Sequence, residues 1–428
     1  MHTKESELKT RTDSAAINRE FERQWQIITR GAVDVLPEEE FRERVKRSLR
    51  ENKPLRVKQG FDPTAPDIHL GHTIGIRKLR QFQDLGHTVV LIVGDYTGMV
   101  GDPSGRSATR PQLDYDTLMK NAETYQRQFF KILDRAKTEV HFNGEWFKQM
   151  SFAEVMQLAM KFTVARLLER DDFEKRMRRG IPISVHELFY PLMQAYDSVA
   201  IRADVELGAT EQKFNLLAGR TIQEAYGVEP QCILTLPVLV GIDGENRMSK
   251  SLGNYIGIDE SPREIFGKIM KIPDRLIADY AALVADYTLE ELEDIKQKLA
   301  SPDINPMDVK KMLGERMVEM YHQAGAGAAA REEFGRVFSQ KQLPDEIPEC
   351  PSARIREWGL DPDRIYLVHL MAKAELAKSN SDARKLIQAG AVELDGERVS
   401  DPDYEFALPD TGFVVLKVGK RRFLRLRR

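Results

Sequence analysis

An alternation of strand and helix patterns in the first hundred residues most limits what this chain can fold into. Residues 55–61 alternate apolar and polar side chains, as a strand does, and residues 70–85 carry apolar side chains at helical spacing up to Gly86. The run Thr88–Val93 that follows is apolar and rich in β-branched residues, which is typical of a strand buried on both faces. A strand, a helix and a strand in this order form a βαβ unit, which predicts an α/β fold with a parallel sheet.

The remaining patterns predict how the chain is divided. A first domain spans 1–262, with a charge-rich helical insertion at about 115–190, a second buried strand at 233–240 and a loop at 244–254. Residues 263–345 have amphipathic helical spacing, and 346–363 is rich in proline and poor in apolar residues, as a linker is. Residues 364–428 predict a small α+β unit with a hairpin turn at Asp395-Gly396.

Composition argues against several classes of protein. The 428 residues contain no apolar stretch near the ~20 residues of a membrane span, and the first fourteen residues lack the apolar segment of a secretory signal. Two cysteines cannot form a disulfide framework or a four-cysteine zinc site, and no histidine pair has the HExxH spacing of metalloproteases. We therefore expect a cytoplasmic protein with no membrane partner and no tightly bound metal.

Charge is distributed unevenly along the chain. The formal net charge is -3, yet the last eighteen residues contain seven basic side chains and no acidic one. A basic end on a mildly acidic body indicates a surface for a polyanion, and a solvated tail is the alternative explanation.

A histidine pair opens the helix of the βαβ unit. His69 and His72 are three residues apart, so both imidazoles lie on one helix face, where the helix N-terminus offers N–H groups to a phosphate. Gly71 between them leaves bare backbone on which a flat ring can lie. Capping or ordinary surface histidines are the alternative, but the carboxyl edge of a parallel sheet is where ligands bind in such folds.

Two loops carry further candidate groups. Four glycines between residues 94 and 105 allow the backbone to approach a ligand, with Asp102 as a candidate for an ammonium group and Arg106 and Arg110 as candidates for phosphate. In the sequence RMSKS, Arg247 and Lys250 are three residues apart on a loop that can close over a triphosphate. An ordinary glycine-rich connection and a solvated basic turn are the respective alternatives.

The order HLGH, then RMSKS about 180 residues later, resembles the class I aminoacyl-tRNA synthetases, in which the two motifs jointly bind ATP. Further segments resemble the bacterial tyrosyl-tRNA synthetase family over most of the chain: GFDPT, GDPSGR, FTVARLLERDDF, the helix around YPLMQAYD and GATEQ. The segment AKSNSDARKLIQAGAVELDGERV is similar to the S4 RNA-binding fold. The resemblance implies a Rossmann-like catalytic domain, then an α-helical anticodon-region domain and a small S4-like RNA-binding domain.

The resemblance also implies which residues bind tyrosine. On one helix, Tyr190, Gln194 and Asp197 lie at i, i+4 and i+7 and therefore point to one side. In the family's pattern Tyr190, Gln194 and Asp102 hold the substrate ammonium group and Asp197 accepts the hydrogen bond of the phenol. Some family members have a phenol-contacting tyrosine where this chain has Lys58. A second residue is therefore needed to contact the phenol together with Asp197, and Asp95 is predicted to be this helper. Asp62 is also predicted to belong to the tyrosine site.

ATP contacts follow from the same resemblance. Thr64, His69 and His72 would meet the phosphates, Gly71 would lie under the adenine, Glu211 would meet the ribose, and Gln212 would lie near the adenylate. Arg247 and Lys250, helped by Arg106 and Arg110, would close on the pyrophosphate, with Mg²⁺ held mainly by phosphates and water. The predicted ATP site is completed by Gly60, Gly208 and Met248. Arg247 in place of the lysine of KMSKS, Ala209 in place of a glycine and Glu211 in place of aspartate depart from the family's pattern.

The implied activity is that of a tyrosine–tRNA ligase acting on L-tyrosine, ATP and tRNA(Tyr). Family members are homodimers, with the helical insertion at the interface. The RNA-binding residues predicted in the S4-like segment are Lys378, Arg384, Lys385, Lys420, Arg421 and Arg422. The alternatives are a synthetase-like RNA-binding protein without charging activity and a tryptophanyl enzyme, which also uses an aspartate on this helix.

Overall fold

The computed structural model describes residues 2–102, 114–339, 347–419 and 422–428 of the chain. The chain forms two compact units: one ends at Ala328 and the other runs from Ala329 to Arg428. Residues 263–328, predicted to belong to a separate helical domain, therefore belong to the same unit as the sheet. In the part of the chain that is described, no helix is long and apolar enough to cross a membrane.

The first unit is built on a six-stranded sheet with the strand order β1-β6-β5-β2-β3-β4. Only β1 is antiparallel to its neighbour, and the other four pairings are parallel. This arrangement confirms the predicted Rossmann-like parallel sheet. The strands are β1 (Asp34–Leu36), β2 (Arg56–Phe61), β3 (Thr88–Val93), β4 (Thr138–Phe142), β5 (Val205–Ala209) and β6 (Cys232–Leu236).

Helices cover the sheet and form the rest of this unit. Helix α3 begins directly after His69 and is followed by Gly86 at φ 91°, so the predicted helix and its stop are confirmed. The helices are α1 (His2–Thr29), α2 (Glu38–Glu51), α3 (Leu70–Asp84), α4 (Thr97–Val100), α5 (Tyr115–Phe129), α6 (Gly144–Phe147), α7 (Phe152–Ala159), α8 (Val164–Leu167), α9 (Asp171–Arg178), α10 (Val185–Ala200), α11 (Lys213–Ala225), α12 (Pro262–Ile269), α13 (Ile277–Val284), α14 (Leu289–Ala300), α15 (Pro306–Tyr321) and α16 (Ala326–Ser339), the last of which spans the division between the units.

Strand β4 lies within the segment at about 115–190 that was predicted to be mainly helical. It pairs in parallel with β3, from Val89 opposite Thr138 to Val93 opposite Phe142. β4 is an edge strand whose five side chains are all partly exposed. Its short, mixed sequence therefore lacks the apolar run that identified β3, and β4 is recognised as a strand only from its pairing with β3.

The second unit has its own sheet and core. The sheet order is β10-β9-β12-β13-β7, beside a two-stranded sheet of β8 and β11. The predicted hairpin turn is confirmed, because Asp395 and Gly396 both have positive φ, as a tight two-residue turn requires. The elements are β7 (Glu349–Pro351), α17 (Ser352–Glu357), β8 (Ile365–Tyr366), α18 (Leu367–Lys373), α19 (Asn380–Gln388), β9 (Val392–Leu394), β10 (Glu397–Val399), β11 (Glu405–Phe406), β12 (Val414–Val418) and β13 (Arg422–Arg427).

The predicted linker at 346–363 is folded into this second unit. Strand β7 pairs in parallel with β13, and Cys350 and Ile355 are buried in the core of the unit. Proline is tolerated in β7 because this strand lies at the edge of the sheet. The prolines that indicated a linker therefore mark the start of the small α+β unit.

Candidate active site

A cleft of about 510 Å³ opens at the carboxyl ends of β2 and β5. The strand order reverses between these two neighbours, since β3 and β4 continue on one side and β6 on the other. Ligands of open parallel sheets bind at such a switch point. The predicted site residues that line the cleft are Gly60, Asp62, Thr64, His69, Gly71, His72, Asp102, Tyr190, Gly208, Glu211, Gln212, Arg247 and Lys250.

The other predicted residues of this site fall into two groups. One group is buried without lining the cleft and consists of Asp95, Gln194, Asp197 and Met248. Arg106 and Arg110 lie outside the described residues, so their roles stay predictions.

Backbone pairing brings the two sequence motifs together. The segment that follows RMSKS runs antiparallel to the segment that enters α3: Leu70 N donates to Ile256 O at 2.9 Å, and Ile258 N donates to Ile68 O at 3.1 Å. The start of the RMSKS loop is held in turn by Met248 N, which donates to Leu239 O at 2.7 Å. Residues about 180 positions apart in the sequence thus face one cleft.

The two histidines form a stacked pair at the start of α3. Their ring centroids are 3.8 Å apart with 23° between the planes. Burial, the neighbouring His72 and the charge of Lys250 together lower the pKa of His69 to about 2. Burial and the charge of Lys250 lower the pKa of His72 to about 4. Both rings are therefore neutral at physiological pH and serve as hydrogen-bonding groups. The positive potential for a phosphate comes instead from Lys250 and the helix N-terminus.

Gly71 lies close to the His69 ring. A Cβ atom at this position would lie 3.0 Å from Cε1 and 3.1 Å from Nδ1 of His69. A side chain here would therefore press on the stacked pair and cover the backbone on which a flat ring can rest.

Both cations of the RMSKS loop are paired with carboxylates that also belong to the cleft or its rim. Arg247 forms an ion pair with Glu211, and Nζ of Lys250 lies 3.4 Å from Oδ2 of Asp67. Arg247 and Glu211 are two of the positions at which the sequence departs from the family's pattern. The two departures are therefore in contact with each other.

Two carboxylates and a phenol form the other part of the cleft. The Tyr190 hydroxyl donates to Oδ2 of Asp62 at 2.9 Å, and Oγ1 of Thr97 donates to its Oδ1 at 2.8 Å. Nε2 of Gln212 donates to Oδ2 of Asp102 at 3.2 Å. These groups supply negative charge and oriented acceptors, which suit the ammonium group of an amino acid.

Asp197 lies on the same face of α10 as Tyr190, about two helical turns further along, and is buried. Its carboxylate accepts hydrogen bonds from Trp146 Nε1 at 3.0 Å and Asn143 Nδ2 at 3.4 Å. Burial raises the pKa of Asp197 to about 7, against the opposing effect of Lys58 and of these two donors. An acceptor that titrates near neutral pH is thus buried behind the Tyr190 end of the cleft.

Asp95, the predicted helper of Asp197, contacts Gly144 and Lys148, and its role toward the phenol stays a prediction. Oδ1 of Asp95 accepts a hydrogen bond from Gly144 N at 2.6 Å, and its Oδ2 lies 3.7 Å from Nζ of Lys148. The donors to Asp197 are Asn143 and Trp146, which the sequence analysis missed. Both residues lie just after β4 in the chain. Recognising this edge strand in the sequence would therefore have pointed to them.

Given the role that the resemblance implies for Asp197, replacing Trp146 with Phe is expected to raise KM for tyrosine about 3–10-fold, because a buried acceptor loses one donor. Since the Trp146 hydrogen bond lowers the pKa of Asp197, the fall of kcat/KM on acidification should also begin at higher pH. Steady-state ATP–pyrophosphate exchange measured from pH 6 to 9 checks both effects. Trp25→Phe is the matched control, since Trp25 is buried among Phe21 and Phe41. An unchanged KM and pH profile would contradict the assignment.

Four of the six predicted RNA-binding residues lie on the surface of the second unit. Lys378, Arg384, Lys385 and Arg422 are exposed. Arg384 donates to the Tyr366 hydroxyl at 2.7 Å and to Asp403 at 3.2 Å. The remaining two predicted residues, Lys420 and Arg421, lie outside the described residues.

Comparison with known proteins agrees with the resemblance found in the sequence. Residues 50–339 match the family model "tRNA synthetases class I (W and Y)", and residues 345–426 match "Tyrosine--tRNA ligase SYY-like C-terminal domain". The chain is 53% identical to the tyrosine–tRNA ligase of Moorella thermoacetica over 96% of this chain and 97% of the relative. It is 50% identical to that of Carboxydothermus hydrogenoformans over 95% and 98% of the two chains.

Solved structures show the same fold. The C-terminally truncated mitochondrial tyrosyl-tRNA synthetase of Aspergillus nidulans matches with a TM-score of 0.61 and 20% identity, over 76% of this chain and all of that one. The tyrosyl-tRNA synthetase of Archaeoglobus fulgidus matches with a TM-score of 0.60 and 23% identity, over 73% and 99% of the two chains. With half of its residues identical to those of curated bacterial relatives along nearly its whole length, the chain belongs to the tyrosine–tRNA ligase family of class I tRNA synthetases.

Proposed function

We propose that this chain catalyses the reaction for which its curated relatives are named, the ATP-dependent ligation of L-tyrosine to tRNA(Tyr). Tyrosine and ATP first form tyrosyl-adenylate and pyrophosphate, and the tyrosyl group then passes to the 3′ end of the tRNA with release of AMP. The observation that carries the proposal is the cleft itself. It joins the stacked histidines, the RMSKS cations and the Asp62–Tyr190 group at one switch point of the sheet.

The first step needs positioning and charge stabilisation more than proton transfer. The tyrosine carboxylate attacks the α-phosphate of ATP, and negative charge shifts to the leaving pyrophosphate. Lys250 and Arg247 stabilise that charge, together with Arg106 and Arg110. Preorganised cations of this kind act where charge develops in the transition state.

Tyrosine is held by the carboxylates beside α10. Asp102, Tyr190 and Gln194 take the ammonium group with Asp62, and the ionised Asp197 accepts the hydrogen bond of the phenol. This assignment is supported by the shared helix face of Tyr190, Gln194 and Asp197 and by the acceptor oxygens of Asp62.

ATP lies along the histidine pair and the RMSKS loop. Thr64 and the neutral His69 and His72 donate to phosphate, while Gly71 supports the adenine and Glu211 binds the ribose. The remaining ATP contacts are assigned to Gly60, Gly208, Gln212 and Met248.

Mg²⁺ enters with ATP as part of the substrate. The cleft carboxylates Asp62, Asp102 and Glu211 are each engaged by protein donors. No group of three or more metal-ligating side chains occurs within the described ranges. We assign the ion to the triphosphate and water, because Mg²⁺ typically keeps several waters and binds through substrate phosphates.

A second copy of this chain is the proposed partner of the helical segment 152–185. Several large apolar side chains of this segment are exposed, including Phe152 at 79%, Met160 at 79% and Val185 at 70%. Such a concentration of exposed apolar residues is expected at an interface between subunits. The tRNA is proposed to contact Lys378, Arg384, Lys385, Lys420, Arg421 and Arg422, and the protein to act in the cytoplasm.

Replacing both Phe152 and Met160 with Asp is expected to convert the proposed dimer into a monomer, because each subunit would have to bury two unpaired charges in the interface. Sedimentation velocity at micromolar concentration measures the change. Leu289→Asp is the control, since Leu289 is 66% exposed elsewhere in the first unit. A wild-type monomer, or a double variant that remains dimeric, would contradict the proposed interface.

Amino-acid-dependent ATP–pyrophosphate exchange tests the proposed function. The purified chain is offered tyrosine, tryptophan and phenylalanine separately with MgATP, and exchange is expected with tyrosine alone. Charging of tRNA(Tyr) is then measured with radiolabelled tyrosine. Exchange with tryptophan would make the chain a tryptophanyl enzyme, and no exchange with any of the three would leave an RNA-binding protein.

A further inference from the structure

A buried ion pair connects the two strands that flank the switch point. Lys58 on β2 and Glu206 on β5 are opposite each other in the parallel register, and both side chains are fully buried. Nζ of Lys58 lies 2.9 Å from Oε1 of Glu206, and it also donates to Gln194 O at 2.9 Å and Ser198 Oγ at 2.8 Å. All three ammonium protons thus have acceptors, as a buried charge requires.

Glu206 accepts hydrogen bonds as well as the charge of Lys58. Nε2 of Gln194 donates to its Oε1 at 3.0 Å, and Ser198 Oγ donates to its Oε2 at 3.2 Å. Gln231 donates to the same Oε2, and a Cβ at Gly219 would lie 2.4 Å from Nε2 of Gln231. The Glu206 carboxylate is therefore surrounded by closely packed side chains that donate hydrogen bonds to it.

Gln194 belongs to a series of hydrogen bonds in which each side chain donates to the next one. Arg170 donates to Oδ1 of Asn215 at 2.8 Å, Nδ2 of Asn215 donates to Oε1 of Gln194 at 2.9 Å, and Nε2 of Gln194 donates to Glu206. All four side chains are buried.

The two ends of this series determine its direction. An arginine can only donate hydrogen bonds, and an ionised glutamate can only accept them. Asn215 must therefore turn its oxygen toward Arg170, and Gln194 must turn its nitrogen toward Glu206. Gln194 then presents Oε1 on its other side, where one lone pair receives Asn215 and no group among the described residues occupies the second.

We propose that Lys58 and Glu206 are positioning residues for tyrosine binding: they keep the Gln194 amide turned so that its oxygen, not its nitrogen, is available to the substrate ammonium. This inference rests on the proposed function, in which Gln194 is one of the ammonium acceptors. A reversed amide would present N–H groups to a cation and repel it. Lys58 is needed because Glu206 alone would be an uncompensated buried charge.

The test compares two ligands that differ in the ammonium group. L-tyrosine and 3-(4-hydroxyphenyl)propanoate share the phenol and the carboxylate, but only tyrosine has the ammonium. Their binding to the full chain is measured by isothermal titration calorimetry. Glu206→Gln keeps the volume but gives the end of the series a group that can donate. The double variant Lys58→Met with Glu206→Gln does the same without leaving a lone buried ammonium, and melting temperatures verify folding.

Both variants are expected to bind tyrosine about tenfold more weakly and the propanoate within twofold of wild type. Gln83→Glu is the matched control: Gln83 is a buried amide whose partners Asp134 and Thr138 contact neither Glu206 nor Gln194, so its replacement should not change the preference between the ligands. Equal weakening of both ligands, or no weakening of tyrosine, would overturn the positioning role. If wild type itself binds the two ligands equally, the ammonium assignment fails first, and this inference with it.

Discussion

Replacing Lys250 with Met is expected to lower kcat for tyrosyl-adenylate formation by about 10²–10³-fold, while KM for tyrosine changes little. Removing one preorganised group that stabilises developing charge typically costs about 2.7–4 kcal/mol of transition-state stabilisation, which corresponds to that factor. Lys250 lies at the rim of the cleft, its side chain is 19% exposed, and burial lowers its pKa. Its charge is therefore poorly screened by water and acts strongly on the pyrophosphate.

Single-turnover formation of tyrosyl-adenylate separates this effect from binding. Lys268→Met is the matched control, because Lys268 is similarly exposed at 25% but pairs with Glu260 and does not line the cleft. The control should retain the wild-type rate. A Lys250→Met variant with unchanged kcat and a raised KM for ATP would mean that Lys250 binds ground-state ATP and does not act selectively on the transition state.

Replacing Asp197 with Asn is expected to lower kcat/KM for tyrosine by about 10–100-fold and to leave the much lower value for phenylalanine nearly unchanged. A hydrogen bond to a charged group contributes about 1.5–3 kcal/mol, and phenylalanine makes no such bond. Asn keeps the volume of the side chain, so packing around Trp146 is preserved. ATP–pyrophosphate exchange with each amino acid measures both values.

Asp197 also predicts the direction of the pH dependence. Burial raises its pKa to about 7, and the ionised form is the one that accepts the hydrogen bond of the phenol hydroxyl. In wild type, kcat/KM for tyrosine should therefore fall as the pH drops through about 7 and be constant above it, whereas Asp197→Asn should lack this fall.

Asp204→Asn is the control for this series. Asp204 precedes β5 at the amino end of the strand, away from the cleft, and accepts a hydrogen bond from Arg56 N. It should keep the wild-type profile. An Asp197→Asn variant with the same acid limb as wild type would assign the titration to another group, and equal losses for tyrosine and phenylalanine would remove Asp197 from recognition of the phenol.

Local patterns were sufficient where the chain's own periodicity decides the structure. The buried strand Thr88–Val93, the helix that begins after His69 and the Asp395-Gly396 hairpin were all predictable, because burial on two faces, helical spacing and a tight turn each leave a mark in adjacent residues. The resemblance placed most of the residues that line the cleft. It did so because the motifs are compact and keep a characteristic order.

Long-range pairing decided the rest. Strand β4 and strand β7 are short edge strands whose sequences carry no signal of their own, so their places depend on β3 and β13. Asn143 and Trp146 reach Asp197 only because β4 joins the sheet. In the sequence, Lys58 is only the replacement of a tyrosine that contacts the phenol in some family members. Its partner Glu206 becomes evident only when β5 pairs with β2.

The sequence by itself therefore determined the fold class, the family and the residue types of the cleft. Only the tertiary structure decided which charges are paired, which amide faces which partner and which donors hold Asp197. The physical reason is that a buried charge or amide acquires its orientation and its pKa from neighbours that are distant in the chain, and the periodicity of adjacent residues carries no information about those neighbours.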